Sequence, residues 1–125
     1  MFVGFEFSEL VAGDRIPPHT DVPEKLLSLM IYFPQSGEQA ERPLGTEFYR
    51  ARPGFESDRA WASGMPDESE TDEFFRRHEC YFQVPFAADT LVGFVKSDQS
   101  WHGLREVDLP SGEERRALIF NVFRL

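Results

Sequence analysis

The chain holds a single cysteine, Cys80, so it closes no internal disulfide and builds no thiolate metal cluster. A buried structural thiol is the expectation there. No apolar run approaches the roughly 20 residues needed to cross a bilayer. The opening stretch MFVGFEFSELVAGDR lacks the basic start and long apolar core of a secretory leader. Together these absences predict a soluble, cytoplasmic protein with no membrane association. Positive charge is scarce too: 13 Lys and Arg against 22 Asp and Glu leave a formal charge of -9. A surface of that sign repels phosphate backbones, which makes nucleic acid an unlikely partner.

What is present argues for a folded globule. The chain is 41% hydrophobic and 14% aromatic, with 13 Phe, and 125 residues suit one domain spanning 1–125. Short apolar or alternating runs follow one another between turn signals. Phe2–Val11 alternates imperfectly, with Phe5 and Phe7 on one parity and Glu6 and Ser8 on the other. Leu26–Phe33 is the strongest candidate for a buried strand, closed by Pro34. Gly45–Arg50, Cys80–Phe86, Thr90–Lys96, His102–Val107 and Arg116–Phe123 complete the series. Residues 51–79 break the pattern as a long insertion carrying acidic and Pro/Gly-rich text. One or two helical turns are expected over Asp72–His78, and the insertion is the expected source of a pocket mouth and of substrate selectivity. Connections this short cannot hold the crossover helices of a parallel sheet. The prediction is an all-β sandwich or barrel.

Chemistry concentrates in three places. His19 and Asp21 are one residue apart, which places them on one side of an extended chain, at the rim before a strand. His102 follows Asp21 by 81 residues, so only a fold brings the three together. Two imidazoles and a carboxylate form the facial set expected of non-haem Fe(II), although zinc accepts the same ligands. The third histidine, His78, sits in the polar stretch FFRRHE and reads as solvent-facing. At the head of the last strand, alternation groups Arg115 with Ala117, Ile119 and Asn121, and Arg116 with Leu118, Phe120 and Val122. A guanidinium pointing into a barrel calls for an anion, and a carboxylate suits its fork.

The order His19-Thr20-Asp21, His102-Gly103, then Arg115-Arg116-Ala117-Leu118-Ile119-Phe120 resembles the Fe(II)/2-oxoglutarate-dependent oxygenase superfamily, with its prolyl-hydroxylase-like branch nearest. The resemblance runs from Phe2 to Phe123 and covers the family's catalytic core. The helices and extra strands that usually precede this core have no counterpart, as in a minimal or N-terminally truncated member. It implies a double-stranded β-helix (a jelly-roll, cupin-like barrel). It also implies Fe(II) held by His19, Asp21 and His102, and 2-oxoglutarate gripped through its far carboxylate by Arg115, with Arg116 as the fallback. Tyr32 matches a tyrosine that in some members bonds the same carboxylate. Asn121 would add a polar contact in the pocket, and Trp101 a wall.

The resulting expectation is a dioxygenase that hydroxylates a small-molecule or peptide substrate and assembles as a homo-oligomer, such as a dimer, covering the larger sheet. Two rivals stand beside it. A cupin-type enzyme would show HxH and a later Glu, which this sequence does not place. A non-catalytic β-barrel with a vestigial metal site would bind a ligand or partner protein without turnover.

Overall fold

The computed structural model describes residues 1–57 and 65–125. The chain runs β1 (Phe2–Val11), β2 (Ile16–His19), β3 (Lys25–Tyr32), α1 (Gly37–Ala40), β4 (Glu47–Ala51), α2 (Glu68–Arg77), β5 (His78–Gln83), β6 (Leu91–Val95), β7 (His102–Leu104) and β8 (Glu114–Phe123). Two four-stranded antiparallel sheets result, ordered β1-β8-β3-β6 and β2-β7-β4-β5. The strands pair from the outside of the sequence inward: first with eighth, second with seventh, third with sixth, fourth with fifth. Among the described residues the sheets do not close into a barrel, and no helix is long and apolar enough to cross a membrane.

Between the sheets lies the main core, built on Met30, Tyr32, Leu44, Phe86, Leu104 and Ala117. A smaller core, Tyr49, Phe74 and Trp101, sits under α2 on the far side of the second sheet. The helix forms because Asp67 and Glu70 make a reciprocal capping box and Arg76 and Arg77 complement its C-terminal dipole. It spans ten residues, longer than the one or two turns expected. Its described part covers the outer face of a sheet, and does not form the mouth of the cavity between the sheets. Residues 58–64 of the insertion lie outside the described residues.

Two expectations are corrected, and β1 settles a direction that its parity left open. His78 is not solvent-facing: it is fully buried, its ring stacked on Phe74 at 3.9 Å, because it starts β5 beneath the helix that precedes it. β3 is buried on one face only. Ser28, Met30 and Tyr32 point inward, while Leu27, Leu29 and Ile31 stay half-exposed on the outer face. β1 reverses the usual rule that apolar side chains point inward. Its register on β8 (Phe5↔Phe120, Glu6↔Ile119, Phe7↔Leu118) turns the phenylalanines outward and Glu6 and Ser8 toward the space between the sheets.

Candidate metal centre

His19 and His102 stand directly opposite each other on β2 and β7, with ring centroids 4.2 Å apart. That closeness depends on Gly103, where a Cβ would lie 2.4 Å from the Ile16 carbonyl oxygen; only glycine lets the two strands approach there. Asp21 joins them by a route the alternation pattern does not describe. β2 ends at His19, and Asp21 takes a left-handed backbone conformation with φ 73°. Aspartate tolerates this conformation better than most residues. The turn folds its carboxylate back over the histidines, leaving Oδ1 3.2 Å from His19 Nε2 and Oδ2 3.4 Å from His102 Nε2.

Second partners fix how these groups face one another. His19 Nδ1 lies 2.8 Å from the Pro17 carbonyl oxygen, and His102 Nδ1 2.8 Å from that of Ser100. A carbonyl only accepts, so each Nδ1 carries the proton and donates. This is the outer-shell arrangement that presents Nε2 to a metal. Burial, followed by the neighbouring His19, pushes His102 down to about 4, so at neutral pH its Nε2 is a bare lone pair. Facing it is Asp21 Oδ2, a buried oxygen with no hydrogen-bond partner. Burial alone would raise the Asp21 carboxyl. The His19 hydrogen bond and the charges of His102, His19 and Lys25 outweigh it and hold the group well below the carboxylate range.

The His102 Nε2 lone pair and the unpartnered Asp21 Oδ2, 3.4 Å apart, repel unless a cation stands between them. The three ligand atoms lie within 4.8 Å of one another. Ligands about 2.1 Å from a common ion are separated by roughly 3.0–3.4 Å in octahedral or tetrahedral geometry, and the 3.4 Å between Asp21 Oδ2 and His102 Nε2 lies in that range. The donor set fits a borderline divalent ion such as Fe(II). Lys25 Nζ, 3.1 Å from Asp21 Oδ1, restrains the carboxylate so that Oδ2 remains the free donor.

The cluster opens into a cavity of about 250 Å³ between the sheets. Arg115 lines it, nearly fully buried. Its Nε donates to the Leu44 carbonyl, and its guanidinium lies 5.4 and 5.6 Å from the Tyr32 and Phe86 rings. Among the described residues no carboxylate pairs with it. Burial lowers its pKa, partly offset by Tyr32, yet a guanidinium stays charged at any ordinary pH.

The other sequence candidates separate. Asn121 lines the cavity, its Oδ1 accepting from Ser28 Oγ. Arg116 faces the other side of β8 and pairs with Glu114 at 3.0 Å. Tyr32 is a core aromatic. Its hydroxyl donates to Thr46 Oγ1 and accepts from the Thr46 backbone N–H, and Thr46 is what reaches the cavity. Trp101 packs under α2, and Phe94 walls the cavity beside His102, 4.5 Å between centroids. Lys25, Thr46 and Phe94 escaped sequence reading. None left a signal, since the i+4 spacing of Lys25 from Asp21 joins side chains on a helix and here a left-handed turn leads into a strand.

No family model, curated protein or solved structure matches the chain. Fold and site therefore define a class by themselves: an all-β domain with a His₂-carboxylate cluster and a buried cation on one cavity.

Proposed function

We propose that the chain is an Fe(II)- and 2-oxoglutarate-dependent oxygenase, on a double-stranded β-helix, that hydroxylates a small-molecule or peptide substrate. One observation carries the reading. A cavity of about 250 Å³ has the ligand atoms of His19, Asp21 and His102 on its wall, within 4.8 Å of one another, and on the same lining the buried guanidinium of Arg115, which among the described residues meets no carboxylate. The outside-inward strand pairing supports the fold half of the proposal.

His19, Asp21 and His102 would hold the metal. Bound Fe(II), with 2-oxoglutarate as the two-electron donor, would supply the O₂ activation that no side chain provides. In the overall reaction one oxygen atom enters a substrate C–H bond and the other enters succinate, as 2-oxoglutarate loses CO₂. Arg115 fixes the far carboxylate of the cosubstrate by charge-assisted hydrogen bonds. Met30, Phe94 and Ile119 exclude water around it, and Asn121 and Ser28 offer polar contacts. Lys25 and the backbone carbonyls of Pro17 and Ser100 keep the three ligands aimed.

Calorimetry under anaerobic conditions tests the reading. Fe(II) is expected to bind with one site per chain, and 2-oxoglutarate to bind only in its presence and only with Arg115 intact. Succinate and CO₂ should then form on exposure to O₂. Failure to bind either Fe(II) or 2-oxoglutarate would sink the proposal.

A further inference from the structure

The outer face of the β1-β8-β3-β6 sheet is apolar across all four strands. Phe5 and Phe7 on β1, Phe120 on β8, Leu29 on β3, and Leu91 and Val95 on β6 share it. The register pairs Phe5 with Phe120 and sets Leu29 beside Phe120 on its other side. Exposure is high at both edges: 71% at Phe5, 60% at Leu91 and 74% at Val95. Among the described residues nothing packs over this face, whereas the second sheet has α2. A one-residue slip of β1 would have turned these phenylalanines inward. The chain instead spends its inward parity on the polar cavity wall and puts its aromatic parity outside.

We infer that this face is covered by a second copy of the chain, packed sheet on sheet about a two-fold axis perpendicular to the strands. Size is the first support. Four strands about 4.8 Å apart and roughly 8 residues long at about 3.3 Å per residue project roughly 500 Å². Side-chain relief brings the accessible area toward the ~800 Å² that each partner contributes to a standard interface. Charge is the second support. Along the outward parity, Glu9 on β1 and Glu114 on β8 flank Arg116 at one end, a net charge of -1, and exposed Arg124 follows just past the other end, with Leu118, Phe120 and Val122 between them. A two-fold axis crossing β8 at the level of Ile119 exchanges these ends. It lays the net-acidic Glu9, Glu114 and Arg116 cluster of each copy near Arg124 of the other and stacks the apolar middle on itself, an isologous contact. A parallel arrangement would set like ends together.

Sedimentation equilibrium on the full chain reads this directly. Wild type is expected at twice 14.4 kDa. Phe5→Glu and Val95→Glu, both at highly exposed positions where the fold tolerates charge, are expected to raise the dimer dissociation constant at least about tenfold, with circular dichroism and Co(II) binding unchanged. Glu114→Arg or Arg124→Glu alone should weaken the dimer, and the double reversal should restore it. A monomer up to about 100 µM overturns the assignment, as does a dimer indifferent to the two face variants. Open-ended association also overturns it and marks the face for a different cover. The inference does not depend on the oxygenase reading, since the metal site lies on the opposite side of the sheet.

Discussion

Where a Cβ on Gly103 would stand, the carbonyl oxygen of Ile16 lies 2.4 Å away and that of Pro17 3.1 Å away. The first is a distance no real side chain accepts, so an added methyl pushes β2 from β7. Since His19 and His102 sit opposite each other on those strands, Gly103→Ala is expected to weaken Co(II) or Fe(II) binding at least about tenfold without altering a ligand. Titration followed by the visible Co(II) spectrum checks this.

Asp21→Asn keeps the left-handed turn, which asparagine also tolerates, while removing the charge and one donor oxygen. The variant should fold as wild type by circular dichroism and lose thermal stabilisation by divalent metal. Retention of full Fe(II) affinity would argue against Asp21 as a ligand.

Acid should weaken the metal-free protein in a defined window. His102 is held at about 4 against an ordinary 6.5, by burial first and by His19 next. Between those values the unfolded chain binds a proton that the folded one refuses, so stability falls as pH drops from about 6.5 to 4. The loss attributable to this residue is about 3 kcal/mol at most. The depressed Asp21 carboxyl acts lower: its stabilisation is present above the ordinary 3.8 and is lost only as pH falls beneath that. Urea melts across pH should show the upper window flattened in His102→Gln.

Arg115→Met exchanges a buried cation without an anion for an apolar side chain of similar length. Melting of the metal- and cosubstrate-free protein is expected at or above wild type. The stabilisation that saturating 2-oxoglutarate confers on the Fe(II) protein, about 3 kcal/mol at a hundredfold excess over Kd, should vanish. Differential scanning calorimetry with and without the cosubstrate distinguishes this from a folding defect.

On the second sheet, Glu47 is buried and takes a two-nitrogen contact from Arg105, 2.7 Å at the shorter, along with the Arg105 backbone N–H. Arg105→Ala removes the guanidinium from that carboxylate and leaves it the residue 105 backbone N–H and the Tyr49 hydroxyl. Because Arg105 is itself mostly exposed, the expected cost is about 2 kcal/mol, below that of a fully buried pair. Chemical denaturation at pH 7 measures it.

The sequence made some parts of the site readable and hid others. Alternation on β8 separates Arg115, Ala117 and Asn121 from Arg116 without any knowledge of the fold, because a strand has only two faces. Alternation misled at His19 and Asp21: they converge through a left-handed turn, not along an extended chain. His78 looked polar from its neighbours, but the register of β5 against α2 buries it, and register is a long-range property. The polar lining of β1 was visible as parity, yet its direction was not. Which face of an edge strand turns inward depends on β8, more than a hundred residues later in the chain.

The outside-inward pairing of strands has a consequence for how the chain reaches its native state. Only β4 with β5 is a pairing of strands adjacent in sequence; every later pair encloses the one before it, ending with β1 against β8. Closing loops of growing length makes such a topology slow to fold. Because β8 lies between β1 and β3, the first sheet has no continuous ladder until that strand has emerged from the ribosome. His19 and His102 therefore meet only when β7 reaches β2, and Arg115 joins them only with β8, so the metal ligands assemble before the cavity that they open on is complete.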